Sequence, residues 1–286
     1  MEKNPGDILN SVSLAANEDG EVNTIKLPEA ASSTADFNRS GTAFLMKGQW
    51  DKAVDDFTTA IGLEPKNALA YRGRGEAFRM VNQYNKAIDD FTTAIELEPK
   101  NTFAYARRGF AFEMKNQLAE AIDDYSTAIE LKTKNAFAHE NRGFTFLKKG
   151  QFDKAVDDFT TVIELDPKNA LAYRYRGSAF RMKGQFDKAI DDLTTAIELD
   201  PEYAKAHRAR GRLFLQTRQY DKAIDDFTTA IELEPNNASA YMCRGVAYRR
   251  KGNIEQAISD LEKGLELDPG NEIAINQLNL AKSSRQ

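Results

Sequence analysis

Seven aspartates and six arginines recur in this chain at a single spacing. Asp56, Asp90, Asp124, Asp158, Asp192, Asp226 and Asp260 stand 34 residues apart, and so do Arg74, Arg108, Arg142, Arg176, Arg210 and Arg244. Carboxylate and guanidinium groups in such columns make bidentate ion pairs, which fix geometry. They are not arranged for catalysis. An Asp-Asp pair that returns six times along the chain is scaffold chemistry. No Gly-rich phosphate loop, no nucleophile with a positioned base and no metal-ligand spacing appears. His139 and His207 fall at one position of the period where other copies carry Tyr or Phe, so they read as packing substitutes. Cys243 is the single cysteine, which excludes a disulfide framework and a Cys-rich metal site. The chain is expected to be non-catalytic, with no metal and no cofactor.

The elements that must position these charges follow from the same period. Seven copies of a 34-residue unit fit without a gap, at 34–67, 68–101, 102–135, 136–169, 170–203, 204–237 and 238–271. Position 8 of the unit is Gly in all seven, from Gly41 to Gly245, and position 20 is Ala in all seven, from Ala53 to Ala257. Position 32 is Pro in six, with Thr133 the exception. Apolar residues at spacings of three, four and seven put one stripe on each of two helices per unit. Gly or Asn at position 15 closes the first helix in six copies, as a left-handed cap requires. Asp51, Asp153, Asp187 and Asp221, with Asn85, are expected to open second helices, and Asn at position 34 to cap the next first helix. Gly at position 8 and Ala at position 20 mark close helix approach.

An aromatic or imidazole at position 4, Gly, a second aromatic at position 11, Ala and Pro resemble the tetratricopeptide repeat signature. The resemblance covers 238 of 286 residues. It implies an all-α, right-handed superhelical solenoid of seven helix–turn–helix repeats, closed by a C-terminal capping helix over residues 272–286. In that helix Ile275 and Leu278 are expected to face inward, and Asn276, Gln277 and Asn279 outward. Residues 1–33 fall outside the period and carry a charge of −4. They read as a flexible acidic arm, able to occupy the chain's own groove.

Charge separates the two helices of the unit. Positions 1–16 sum to +20 and positions 17–34 to −22, within a net charge of −5. The family resemblance places first helices on a concave inner face, which would make that face a basic groove. Arg replaces the usual family Leu at position 7, except in the first copy, where Ser40 stands. Ser40 is where no preceding copy exists, so each Arg is expected to reach back to the Asp of the preceding copy. The pairs are then Arg74–Asp56, Arg108–Asp90, Arg142–Asp124, Arg176–Asp158, Arg210–Asp192 and Arg244–Asp226. The threonine pairs, such as Thr58 and Thr59, are expected to be solvated on the back.

The remaining inner-face positions vary between copies and are expected to carry specificity. Arg72 and Arg79 come from the second copy. Phe103, Phe110, Met114, Phe137, Phe144 and Leu147 form an aromatic middle. Arg174, Tyr175, Arg181, Lys205, Arg208, Arg212, Arg249 and Arg250 make a basic C-terminal half. Aromatics and arginines are the usual anchors of interfaces. The two-carboxylate clamp of chaperone-binding members is absent: the window from the first copy gives Asn38, Thr42, Gly73, Phe103 and Arg107. The expected ligand is a protein or peptide segment with apolar anchors and several acids. The alternative is a self-associating platform. Single-stranded nucleic acid is disfavoured by the acidic second helices and the net charge. No run of 18 apolar residues and no basic leader is present in these 286 residues, so a cytoplasmic protein without a membrane span is expected.

Overall fold

The computed structural model describes residues 33–285. The N-terminal stretch expected to form an acidic arm therefore lies, but for Ser33, outside the described residues. The described chain is all-α, with no strand. Its helices are α1 (Thr34–Met46), α2 (Trp50–Leu63), α3 (Ala68–Met80), α4 (Tyr84–Leu97), α5 (Thr102–Met114), α6 (Leu118–Leu131), α7 (Ala136–Lys148) and α8 (Phe152–Leu165). They continue as α9 (Ala170–Met182), α10 (Phe186–Leu199), α11 (Ala204–Gln216), α12 (Tyr220–Leu233), α13 (Ala238–Lys251), α14 (Ile254–Leu267) and α15 (Glu272–Ser283). Odd-numbered helices are first helices and even-numbered ones second helices of the hairpins. The chain divides after Asn141, inside α7, into two compact units.

Alanine and glycine let the helices approach closely. Ala53, Ala87, Ala121, Ala155, Ala189, Ala223 and Ala257 are all fully buried. A Cβ at Gly41 would lie 2.9 Å from the Phe57 ring, and one at Gly211 3.0 Å from Phe227. Position 8 is thus a slot for the ring or leucine at position 24 of the same hairpin. Phe57, Phe91, Tyr125, Phe159, Leu193, Phe227 and Leu261 fill it and are buried to within 1%. Burying such a side chain stabilises by about 1.5–3 kcal/mol.

Helix ends follow local chemistry, with one correction. Asn67, Asn101, Asn169 and Asn237 each accept a backbone N–H three residues on, at 3.0–3.2 Å, and cap α3, α5, α9 and α13. Second helices instead open at Gln49, Gln83, Gln117, Gln151, Gln185, Gln219 and Asn253, without a side-chain cap. The aspartates expected as caps sit inside the first turn, as Asp51 and Asp187 do. There a carboxylate complements the helix dipole rather than receiving a capping bond. The turn within each hairpin passes through a left-handed residue, at Gly48, Asn82, Asn116, Gly150, Gly184, Arg218 and Gly252.

In the first unit α1 meets α3 and α3 meets α5; in the second, α9 meets α11, α11 meets α13 and α13 meets α15. Second helices do not meet one another to that extent among the described residues. Within each unit the first helices thus pack on one another as well as on their own second helices. Helix α15 holds Ala274 and Ala281 buried and packs Leu278 against α14. Ile275, expected inward, is 40% exposed. It occupies position 4 of the period, where the hairpins bear Phe, Tyr or His. Gln277, expected outward, is half-buried and accepts a bond from Arg249.

Candidate functional site

The arginine column is structural, and its pairing differs from the expectation. Arg74 donates from Nε and Nη2 to both oxygens of Asp90, at 2.8 Å each, not to Asp56. The same side-on pair joins Arg108 to Asp124, Arg142 to Asp158, Arg176 to Asp192, Arg210 to Asp226 and Arg244 to Asp260. All six pairs lie within a hairpin. Positions 7 and 23 face each other across the antiparallel pair beside the glycine slot; a Cβ on Gly75 would touch Asp90 Cβ at 3.2 Å. What does reach back is Nη1. It donates to Thr58 from Arg74, Thr92 from Arg108, Thr160 from Arg176, Thr194 from Arg210 and Thr228 from Arg244, at 3.0–3.2 Å. The first threonine of each of these pairs is therefore a link between hairpins rather than free surface.

Aromatic rings complete each slot. Arg176 stands 5.5 Å from the Tyr173 ring and 5.9 Å from Phe180, one turn away on either side. The hydrogen bond to aspartate raises the Arg74, Arg176 and Arg244 pKa values, while burial pushes Asp90 and Asp124 up. Burial thus offsets part of the attraction between the paired charges. His207 sits in the same frame: its Nδ1 lies 3.2 Å from Asp226 Oδ1 and its Nε2 3.1 Å from the Pro201 carbonyl. His139 Nε2 lies 3.1 Å from the Thr133 carbonyl, the matching position. Both imidazoles tether as well as pack.

The first helices of the first unit share a buried charge cluster beside aromatic rings. Glu76 on α3 receives Arg79 side-on at 2.8 and 2.7 Å and lies 3.8 Å from Arg107 on α5. Burial alone would push the Glu76 carboxyl up; Arg107 and Arg79 outweigh it and hold it at about 2. Burial pulls Arg107 down in turn. The Arg107 guanidinium lies 4.2 Å from the Phe137 ring and 5.1 Å from Phe103, and Arg79 lies 5.1 Å from Phe110. Arg72 covers the other approach to Phe103 at 5.2 Å. Phe103, Phe110 and Phe137 are therefore half-buried. Met114 stays 49% exposed.

The first helices of the second unit are arranged differently. Phe144, Phe159 and Tyr175 form one ring cluster, with Phe144 edge-on to Tyr175 at 3.8 Å and Phe159 stacked on it at 5.7 Å. Arg174 lies 3.7 Å from the Tyr175 ring and donates from Nε to Tyr203 Oη at 2.6 Å. Arg212 donates to Ser239 at 2.7 Å and Arg249 to Gln277 at 2.9 Å. Arg208 approaches Glu234 at 3.6 Å. Lys205, Arg181 and Arg250 are exposed, with Arg181 Nη2 3.4 Å from Met182 Sδ.

Sequence reasoning placed these side chains on first helices and missed their partners. Glu76, i−3 from Arg79, carried a readable signal as an acid on a basic helix. Tyr203 stands where the six other copies show a capping Asn; that exchange removes the cap from α11 and creates the Arg174 contact. The convergence of Arg107 on Glu76 had no sequence signal. Among the described residues no group of three or more His, Cys, Asp or Glu could hold a metal, and no helix is long and apolar enough to cross a membrane.

A family described as Tetratricopeptide repeat matches residues 38–82, 142–204, 183–227 and 208–272, more than half of the chain. Further matches of the same kind cover 68–101, again described as Tetratricopeptide repeat, and 114–150, described as TPR repeat. No curated protein matches the chain. Among solved structures, the APC/C hetero-tetramer Cut9-Hcn1 is similar with 19% identity and a TM-score of 0.66, covering 86% of this chain and 48% of that one. The present chain thus spans about half the length of that relative. MamA is similar with 29% identity and a TM-score of 0.54, over 56% of this chain and 94% of its own. YrrB, described as a TPR protein with an unusual peptide-binding site, has 24% identity and a TM-score of 0.57, over 64% of this chain and 95% of its own.

Proposed function

Because the chain belongs to the tetratricopeptide repeat family, a general protein–protein interaction scaffold, we propose that it binds a protein or peptide segment bearing apolar and acidic residues. The segment lies against the first-helix faces of its units, and the chain catalyses nothing. One observation carries this reading: the first helices carry exposed Met114, Arg181, Lys205 and Arg212 and half-buried aromatics, while the in-register glycines, alanines and Arg–Asp pairs are used up in packing. Apolar anchors of the ligand would meet Met114 and the edges of Phe103, Phe110 and Phe144; its acids would meet the basic residues. Charge speeds encounter and apolar burial holds the complex.

The test is selection of peptides from a random display library against the full chain, followed by fluorescence anisotropy with the enriched peptides. Enriched sequences should combine apolar and acidic residues. Met114→Glu should weaken those that use the first unit by about tenfold, while Thr229→Glu on the second-helix side should not. No enrichment, or affinities indifferent to every first-helix change, overturns the reading. Self-association is the second reading, favoured by the exposed Ile273, Ile275 and Leu280 on α15; light scattering over a concentration series decides it.

A further inference from the structure

The inner-face arginines of the two units are held in chemically opposite ways. In the first unit Arg79 and Arg107 converge on the buried Glu76, so their charge is answered inside the protein. In the second, successive first helices each send one guanidinium toward the next. Arg174 on α9 reaches Tyr203 at the start of α11, Arg212 on α11 reaches Ser239 on α13, and Arg249 on α13 reaches Gln277 on α15. Each acceptor is neutral, and each bond uses a single nitrogen. A guanidinium has five N–H donors, so most of each fork stays unanswered. None of the three has a carboxylate within ion-pair distance among the described residues. The Nε of Arg249 is buried with no hydrogen-bond partner at all. Burial and the neighbouring Arg250 pull the Arg249 pKa down, as expected for a cation without an anion beside it.

The sequence explains why no internal acid answers them. Residues 170–185, 204–219 and 238–253 carry thirteen Lys or Arg and no Asp or Glu. A flexible, hydrated arginine would gain little by this arrangement. A guanidinium already fixed by one hydrogen bond loses less freedom when an anion arrives, which is the logic of a prepared site.

We propose that Arg174, Arg212 and Arg249 form a row of carboxylate receptors, one per hairpin, which reads acidic side chains of an extended protein segment, whereas the first unit reads apolar ones only. This deepens the scaffold reading and rests on it. Polypeptide carboxylates are favoured over nucleic-acid phosphates because the second helices are acidic throughout and the chain is −5 overall. Tyr175, the aromatic beside this row, is covered by Arg174 and flanked by Phe144 and Phe159, which leaves its face closed to a stacking base.

The experiment measures binding of three labelled probes to the full chain by fluorescence anisotropy at several salt concentrations. They are a twelve-residue peptide of repeated Asp-Leu-Ser, its Asn-Leu-Ser counterpart, and a thymidine oligonucleotide. The Asp peptide should bind at least about tenfold tighter than the Asn peptide, with steep salt dependence. The triple change Arg174→Gln, Arg212→Gln, Arg249→Gln should abolish that difference. The charge-matched change Lys154→Gln, Lys188→Gln, Lys222→Gln on the second helices should leave it intact. Ser239→Asp offers Arg212 an internal carboxylate without removing any arginine, so it should weaken Asp-peptide binding in a chain whose packing is untouched. If both peptides bind equally and the arginine changes do nothing, the groove reading stands and the receptor row falls. If neither peptide binds, both fall. If the oligonucleotide binds tighter than the Asp peptide and loses affinity in the triple variant, the row serves phosphates and the proposal is wrong.

Discussion

Ser40 stands opposite Asp56 at the place where each later hairpin sets an arginine opposite its aspartate, and Asp56 Oδ2 is buried without a hydrogen bond. The slot for the missing guanidinium is otherwise complete. Phe37 and Phe44 take the flanking positions that Tyr173 and Phe180 take around Arg176, and both pack on the first hairpin's core. Ser40→Arg should therefore build the seventh pair. The gain rests on the bidentate bond to a partly buried carboxylate, about 1 kcal/mol. Repeat arrays open locally, so the check is hydrogen exchange of the α1–α2 amides, which should slow about fivefold. Ser40→Arg with Asp56→Asn should lose that protection; equal protection in both variants would refute the pairing.

Arg218 is the one turn residue of its kind that is neither Gly nor Asn, and its φ is +63°. An L-residue with a long side chain pays about 1 kcal/mol or more to hold that conformation. The turn between α11 and α12 demands it, because Gln219 N–H must reach the Phe214 carbonyl at 2.8 Å. The guanidinium makes no hydrogen bond or ion pair among the described residues that would offset the cost. Arg218→Gly should raise the midpoint of thermal unfolding of the second unit by roughly 2–4 °C. Gly184→Ala, at the equivalent turn, should lower it. A melt unchanged by both substitutions would mean that the turn conformation does not limit stability.

These two positions also show what a single sequence carries and what it does not. The period, the hairpins and the glycine slot were legible because Gly41 to Gly245 repeat a steric demand that no other residue meets. The partner of each arginine was not. Ser40 alone replaces the arginine of the column, and that exchange fits pairing with the aspartate of either neighbouring hairpin. The same hairpin supplies the aspartate and the preceding one supplies the threonine, as the Arg74–Asp90 and Arg74–Thr58 bonds show. Periodicity gives the contents of a position and leaves open which of two flanking helices it faces. The site follows the same division. Phe103, Phe110 and Phe137 were legible as first-helix residues, but their covering by Arg72, Arg79 and Arg107 depends on how α3, α5 and α7 converge.

Glu76 makes the first unit sensitive to acid. Its carboxyl is held at about 2, against an ordinary 4.5, by Arg107 and Arg79 despite its burial. A depressed carboxylate contributes stability above its unfolded pKa and loses it as pH falls through the folded one. The contribution, about 3 kcal/mol from the size of the shift, is complete above pH 4.5 and disappears toward pH 2. Glu76→Gln should flatten that part of the stability–pH curve. It should also destabilise at neutral pH by about 3–5 kcal/mol, because two buried guanidiniums lose their counter-charge. Denaturant titrations from pH 6 down to 2 separate the two effects. Parallel curves for wild type and variant over that range would remove Glu76 from the acid response.

Thr194 links two hairpins through Arg210, and its neighbour Thr195 does not. Thr194 Oγ1 accepts from Arg210 Nη1 at 3.0 Å across sixteen residues, while Thr195 Oγ1 donates to the Asp191 carbonyl of its own helix at 3.1 Å. Valine has nearly the shape of threonine and lacks the hydroxyl. Thr194→Val strands one donor of a partly buried cation, which costs about 1–2 kcal/mol. That loss falls on the contact between hairpins rather than on either hairpin alone, so it should lower cooperativity as well as stability. In urea titrations the combination Thr194→Val with Thr228→Val should broaden the transition of the second unit and reduce its m-value. Thr195→Val with Thr229→Val should leave both quantities within error, since those hydroxyls only return a bond to their own helices. Equal effects from the two pairs would show that the arginine column stops at the aspartates and that hairpin register is set by the apolar slots alone.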